Sequence, residues 1–187
     1  MATIRAEKPA FNLRSKLSEL DYGILPFEKA PKGSIIQTVI NQKMSSTQKE
    51  RAGAWAEFDS SLRIDFTPYL PSSQLLLEFY GPYNCKNSTH LQYAKFYNRT
   101  AGATVNEPPA NGSRDRCHWV MRTSHYDNND ANVMHMMLAT PAENTEVRNY
   151  SIYMRTEGVT IEFYSTDLST ASGQTLPCMF KIQEIKQ

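Results

Sequence analysis

The chain predicts an all-β fold, an antiparallel β-sandwich of jelly-roll-like kind, preceded by an extended N-terminal arm with one short helix. Three observations carry that expectation. Strand-like runs of three to eight residues recur from Gly33 to the end, separated by turn-forming residues. Long helical periodicity is missing from the same stretch. The first thirty-two residues are polar, carry a single short apolar stripe, and close with Pro26 and Pro31 just ahead of Gly33. The chain therefore divides into an arm with linker (1–32) and a sandwich domain (33–187).

Composition bounds the function. A chain of 187 residues is long enough for one domain with a sizeable core plus an extension. Twenty basic and nineteen acidic residues nearly cancel, so net charge gives no footing for nucleic-acid binding. No apolar stretch approaches the roughly 20 residues needed to span a bilayer. The opening residues, Met1 to Lys8, are charged and lack a following apolar block, which does not read as a secretory signal. Synthesis and retention in a cytoplasm is the expectation. Cys85, Cys117 and Cys178 are odd in number and widely spaced, and they read as small buried hydrophobes rather than as disulfides or zinc ligands.

In the arm, Asn12 can cap a helix starting at Leu13, because its side-chain oxygen accepts from an otherwise unpaired backbone N–H. Leu13, Leu17, Leu20 and Ile24 recur at offsets of four, seven and eleven, and Gly23 can end the helix. Isolated helices shorter than roughly 12–15 residues are marginal in water, so another surface must cover this stripe. Either the chain's own body covers it or a different protein receives it as a helix in a groove. On the docking reading the four apolar residues are the anchors, and Arg14, with Arg5 and Lys16, sets register. Pro26 and Pro31 then favour an extended linker.

The body opens at residues 34–40, whose β-branched residues on both faces predict a strand buried between layers. Ala54-Trp55-Ala56-Glu57-Phe58 and Leu62-Arg63-Ile64-Asp65-Phe66 alternate as half-buried strands do, and Pro68 ends the second. Leu75 to Tyr80 is a short apolar run bounded by turn residues, as a central strand would be. Residues 91–97, 119–121 and 133–138 follow as strands. Residues 147–154 and 159–164 flank Thr156-Glu157-Gly158, a predicted hairpin turn. Residues 178–185 close the chain, with an alternation that weakens at Glu184. Loops at 100–117 and 124–132 are candidates for exposed contact.

Gly33-Ser34-Ile35-Ile36-Gln37-Thr38-Val39, together with Phe66-Thr67-Pro68-Tyr69-Leu70-Pro71-Ser72-Ser73-Gln74-Leu75-Leu76-Leu77, resembles a β-sandwich domain of tailed-phage virion proteins, marine and cyanobacterial short-tailed phages in particular. The stretches Leu138 to Thr145, Tyr150 to Arg155 and Met179 to Ile185 resemble the same domain, and Ile4-Arg5 and Phe11 to Asp21 resemble phage structural openings. Residues 85–130 have no counterpart in that likeness. The resemblance implies an accessory fibre, knob or decoration subunit without catalysis or cofactor, commonly a homotrimer. Its partners would be capsid or tail proteins, and it would be assembled into the virion in a host bacterial cytoplasm. The alternative is a tail-associated adhesin that binds a host surface glycan.

Chemical signatures are weak by comparison. His118, His125 and His135, with Cys117 and Asp127 nearby, do not follow a recurring zinc spacing. Residues 127–130 lack the glycine and distal glutamate of a calcium loop. Gly-x-Ser-x-Gly is absent, and Asp65, Glu78 and Glu162 sit where outward-facing strand positions explain them. Tyr80, Tyr83, Tyr93, Tyr97, Trp119 and Tyr126 crowd the segment without a counterpart, mostly as core or interstrand pairs. Tyr126, with polar neighbours Asp127 and Asn128, is the candidate receptor contact.

Overall fold

The computed structural model describes residues 27–44, 49–51, 53–85, 91–113, 115–122, 132–157, 161–163 and 177–187. Twelve strands are described: β1 (Ile35–Lys43), β2 (Lys49–Arg51), β3 (Ala56–Glu57), β4 (Ile64–Phe66), β5 (Gln74–Cys85), β6 (Leu91–Asn98), β7 (Ala103–Thr104), β8 (Trp119–Arg122), β9 (Asn132–Pro141), β10 (Arg148–Thr156), β11 (Ile161–Phe163) and β12 (Cys178–Ile185). Every pairing is antiparallel. Sheet A runs β1-β12-β5-β9 across its width, with β11 on the far end of β5 and β2 beside β11. Sheet B places β3 and β4 on one edge of β10, then β6, then β7 and β8.

Taking β3 and β4 as one interrupted strand and setting aside the short β2, β7 and β11 leaves eight principal strands. Their chain order gives 1-8-3-6 in sheet A and 2-7-4-5 in sheet B. That is the double Greek key of a jelly roll, so the expected sandwich and its jelly-roll topology are both met.

Alternation explains the core. On β5, Leu75, Leu77 and Phe79 are fully buried; on β12, Cys178, Phe180 and Ile182 are. From sheet B, Ile64, Phe66, Ala94, Phe96, Ile152 and Met154 meet them. Aromatic edges interlock across the layers, Phe58 on Phe79 at 5.7 Å and Phe96 on Phe180 at 5.8 Å between centroids. Gly81 is needed here, because a Cβ would lie 2.7 Å from the Phe79 ring.

The ends of the sandwich differ. At the base, Ile35 pairs with Ile185, and Gln74 pairs with Pro141. Residues 67–73 and 142–147 link sheets A and B there, and the chain enters there as well. Gly33 takes φ +84°, a left-handed conformation that glycine adopts without Cβ strain, and its N–H donates to the Lys186 carbonyl at 2.8 Å. Glu184 is fully buried and ties the base together. Its carboxylate accepts from the N–H groups of Tyr69 (2.9 Å) and Leu70 (2.8 Å), from Gln37 Nε2 (2.7 Å), and lies 2.6 Å from the Ser73 hydroxyl. A buried charge is tolerable when hydrogen bonds replace its hydration, and these do so. At the opposite end lie the strand ends Lys43, Cys85, Leu91, Arg122, Asn132, Thr156 and Cys178, from which four other connections leave and return.

Four expectations need correction. β1 is not buried between layers: it pairs only with β12 among the described strands, and Ile35 and Ile40 are exposed. Residues 147–154 and 159–164 are not a hairpin pair. β10 belongs to sheet B and β11 to sheet A, because a jelly roll sends the chain across the sandwich at that connection. Between Pro26 and Pro31 the chain is not extended; Phe27–Lys29 forms a 3-10 turn with the Phe27 ring stacked on Tyr69 at 4.4 Å. Finally, Leu62 belongs to a 3-10 turn, Ser60–Leu62, capped by the Asp59 side chain, rather than to the following strand.

Candidate functional site

The outer face of sheet B holds the densest group of chemically versatile side chains described. Strand alternation creates it. On β6, Gln92, Ala94 and Phe96 point inward, so Tyr93, Lys95 and Tyr97 point out. On β10, Tyr153 and Arg155 do the same, paired across from Lys95 and Tyr93. Tyr97 and Tyr153 stack at 4.2 Å. The Lys95 ammonium lies 4.3 Å from the centre of the Trp55 ring, and burial lowers the lysine's pKa. Residues 105–117, which join β7 to β8, bring Asp115 onto this face.

Asp115 is engaged from two sides. Arg155 Nη1 donates to its Oδ2 at 2.6 Å, and Trp55 Nε1 lies 3.4 Å from its Oδ1. Tyr93 donates its hydroxyl to Glu157 at 2.9 Å, while the Arg155 guanidinium sits 5.8 Å over the Tyr93 ring. Burial first, then that bond to Glu157, pushes the phenol pKa up to about 12, so the hydroxyl keeps its proton. Cys117 is half-buried beside them, and burial and then Asp115 raise its thiol pKa. Leu91, Tyr93, Ser113, Asp115, Cys117, Val120, Arg155 and Glu157 line an open cleft of about 620 Å³.

The outer face of sheet A is different. Lys181 and His135 both engage Glu78, His135 at 2.9 Å, in the middle of the sheet. The Lys181 hydrogen bond first, and that of His135 after it, hold the Glu78 carboxyl below its ordinary pKa against the opposing effect of burial. Around the triad Ile40, Tyr80, Val133 and Met137 stand exposed.

The residues singled out from sequence fare unequally. Leu13, Arg14, Leu17, Leu20 and Ile24, and likewise Tyr126, Asp127 and Asn128, lie outside the described residues, as does His125. His118 and His135 belong to different sheets and do not converge. Nδ1 of His118 accepts from the Phe96 N–H at 3.0 Å, filling the gap in the β6 edge between β7 and β8. Among the described residues no group of three or more His, Cys, Asp or Glu side chains could hold a metal ion. Nor is any helix there long and apolar enough to cross a membrane. Trp119 packs against the core, and Tyr80 lies on the other sheet. Sequence reasoning missed Trp55, Asp115, Arg155 and Glu157. The available signal was the phase of β6, whose aromatic residues share the face of Lys95.

No family model matches the chain, and no curated protein matches it. Among solved structures, particles of infectious bursal disease virus are similar in part. A Gt-strain structure is 13% identical at TM-score 0.40, covering 88% of this chain and 42% of that one. The 2.6 Å structure of derived T=1 particles is 10% identical at TM-score 0.42, covering 86% of this chain and 35% of that one. The chain thus spans about two fifths or less of the length of those proteins. Likeness at this level does not transfer their particle-forming role to this chain.

Proposed function

We propose that the protein is an accessory structural subunit of a virion, a fibre, knob or decoration protein of a tailed phage. Residues 1–32 dock it on capsid or tail, and the jelly roll projects outward. The observation that carries this reading is the polarity of the sandwich. Residues 27–34 lie at the base, where Phe27 stacks on Tyr69 and Gly33 bonds Lys186, while the strand ends Lys43, Leu91, Arg122 and Thr156 lie at the other end. The nine residues of β1 separate the two by about 30 Å at roughly 3.4 Å per residue. That separation supports a reading with attachment at one end and display at the other. Assembly would take place in the cytoplasm of a host bacterium.

A homotrimer fits the same design. The outer face of sheet A exposes Ile40, Val133 and Met137, and its central charges are matched within the face by Glu78. A second copy could cover it without meeting an uncompensated charge from that triad. Deleting residues 1–30 tests the docking: the truncated body should fold, yet be missing from purified particles. Full incorporation of the truncated chain would refute it.

A second reading, an adhesin for a host surface glycan, is favoured by the sheet-B cleft, since jelly rolls serve as lectin domains as well as capsid domains.

A further inference from the structure

We propose that the cleft on the outer face of sheet B is a binding site for a neutral sugar, engaged through vicinal hydroxyls by Glu157 and Arg155. The inference rests on the adhesin reading and supplies its ligand class. The cleft, at about 620 Å³, falls in the range of small-molecule sites, roughly 300–1,000 Å³.

The hydrogen-bonding inventory selects the ligand. Tyr93 donates to Glu157 Oε1, which uses part of the four or so acceptor positions a carboxylate offers. Arg155 carries five N–H donors; Nη1 is taken by Asp115, Nε is buried out of reach of a ligand, and Nη2 has no partner among the described residues. Asp115 is itself engaged by Arg155 and Trp55. Spare acceptor capacity on Glu157 and spare donor capacity on Arg155 therefore line one cleft. Adjacent sugar hydroxyls, each able to donate and accept, complement that pair. Leu91 and Val120 give an apolar wall for the C–H side of a pyranose ring, and Val120 stands 53% exposed.

Charge argues against other ligands. Asp115 and Glu157 against Arg155 leave the lining at 1 − 2 = −1, so an anionic sugar meets net repulsion.

The test uses the purified full chain and methyl glycosides of glucose, galactose and mannose, read by saturation-transfer NMR. At least one should receive saturation at its ring protons. Methyl glucuronide should bind at least five-fold more weakly than that glycoside. Val120→Glu, at an exposed rim position, and Glu157→Gln should each weaken binding ten-fold or more while the thermal melt is retained. No transfer to any of the three neutral glycosides overturns the inference. So does binding undiminished in both folded variants, or equal binding of the glucuronide. Adsorption to host cells of particles bearing the chain is scored separately and decides the adhesin reading. A cleft that binds no sugar is thereby distinguished from a particle that does not adhere.

Discussion

The two outer faces of the sandwich have similar strand counts and opposite treatments of their side chains. On sheet B the aromatics are used internally: Tyr97 stacks on Tyr153, Trp55 receives Lys95, Tyr93 carries Arg155, and residues 105–117 fold over part of the face. Sheet A leaves Ile40, Val133 and Met137 in solvent around the Glu78–Lys181–His135 cluster. A face that satisfies its own groups stabilises the monomer and can shape a cleft. A face with exposed apolar residues adds little to the monomer and gains by being covered. Substitutions should therefore act on folding at sheet B and on association at sheet A.

The largest effect expected is that of Arg155→Ala. It removes the cation from Asp115 and from the Tyr93 ring, and should cost about 2 kcal/mol, the scale of a hydrogen bond to a charged group. Urea titration measures it, and faster hydrogen exchange in residues 105–117 should accompany it. Tyr153→Ala comes next, at about 1.5 kcal/mol, because it loses the stack on Tyr97. If neither variant moved the urea midpoint, the contrast between the faces would collapse.

Acid tests both faces at once. The Arg63 hydrogen bond, opposed by burial and helped by the charges of Arg63 and Arg99, holds the Glu57 carboxyl below its ordinary pKa, and Glu78 is lowered likewise on sheet A. Each carboxylate thus has a folded pKa below its unfolded one. Its stabilisation is complete above pH ~4.5 and is lost as pH falls through the folded value. Melting temperatures should fall on acidification in the native chain, and less steeply in Glu57→Gln and in Glu78→Gln. A slope unchanged in both variants would show that these acids contribute nothing.

The smallest effect on the monomer belongs to Ile40→Ser with Met137→Ser, within about 0.5 kcal/mol as for surface positions generally. The same double variant should shift sedimentation toward monomer. Retention of a trimer in that variant would remove sheet A as the proposed seam.

Much of the fold was legible because a half-buried strand writes its inward face in every second residue. Ile64 and Phe66 carry that pattern, and so do Leu75, Leu77 and Phe79. β6 hides it: its inner face is Gln92, Ala94 and Phe96, while the bulky Tyr93 and Tyr97 serve the outer one. The weak alternation at Glu184 had a physical cause, an inward carboxylate whose donors lie some 110 residues or more away in sequence. Thr156-Glu157-Gly158 looks like a hairpin because local turn chemistry does not record which sheet the next strand joins. The cleft was hidden for a related reason. Trp55, Asp115 and Arg155 come from three separate stretches, and pairing in sheet B, not spacing along the chain, brings them together.

Glu184 also bears on when this protein becomes itself. Its strand, β12, lies between β1 and β5, so sheet A stays split until β12 has been made. Until then Tyr69 and Leu70 have no carboxylate to bind, and the base beside the arm is unfinished. Long-range closure of this kind slows folding and holds back commitment until β12 has been made. A chain broken off just short of Glu184 would carry residues 33–183 yet lack the carboxylate that closes the base.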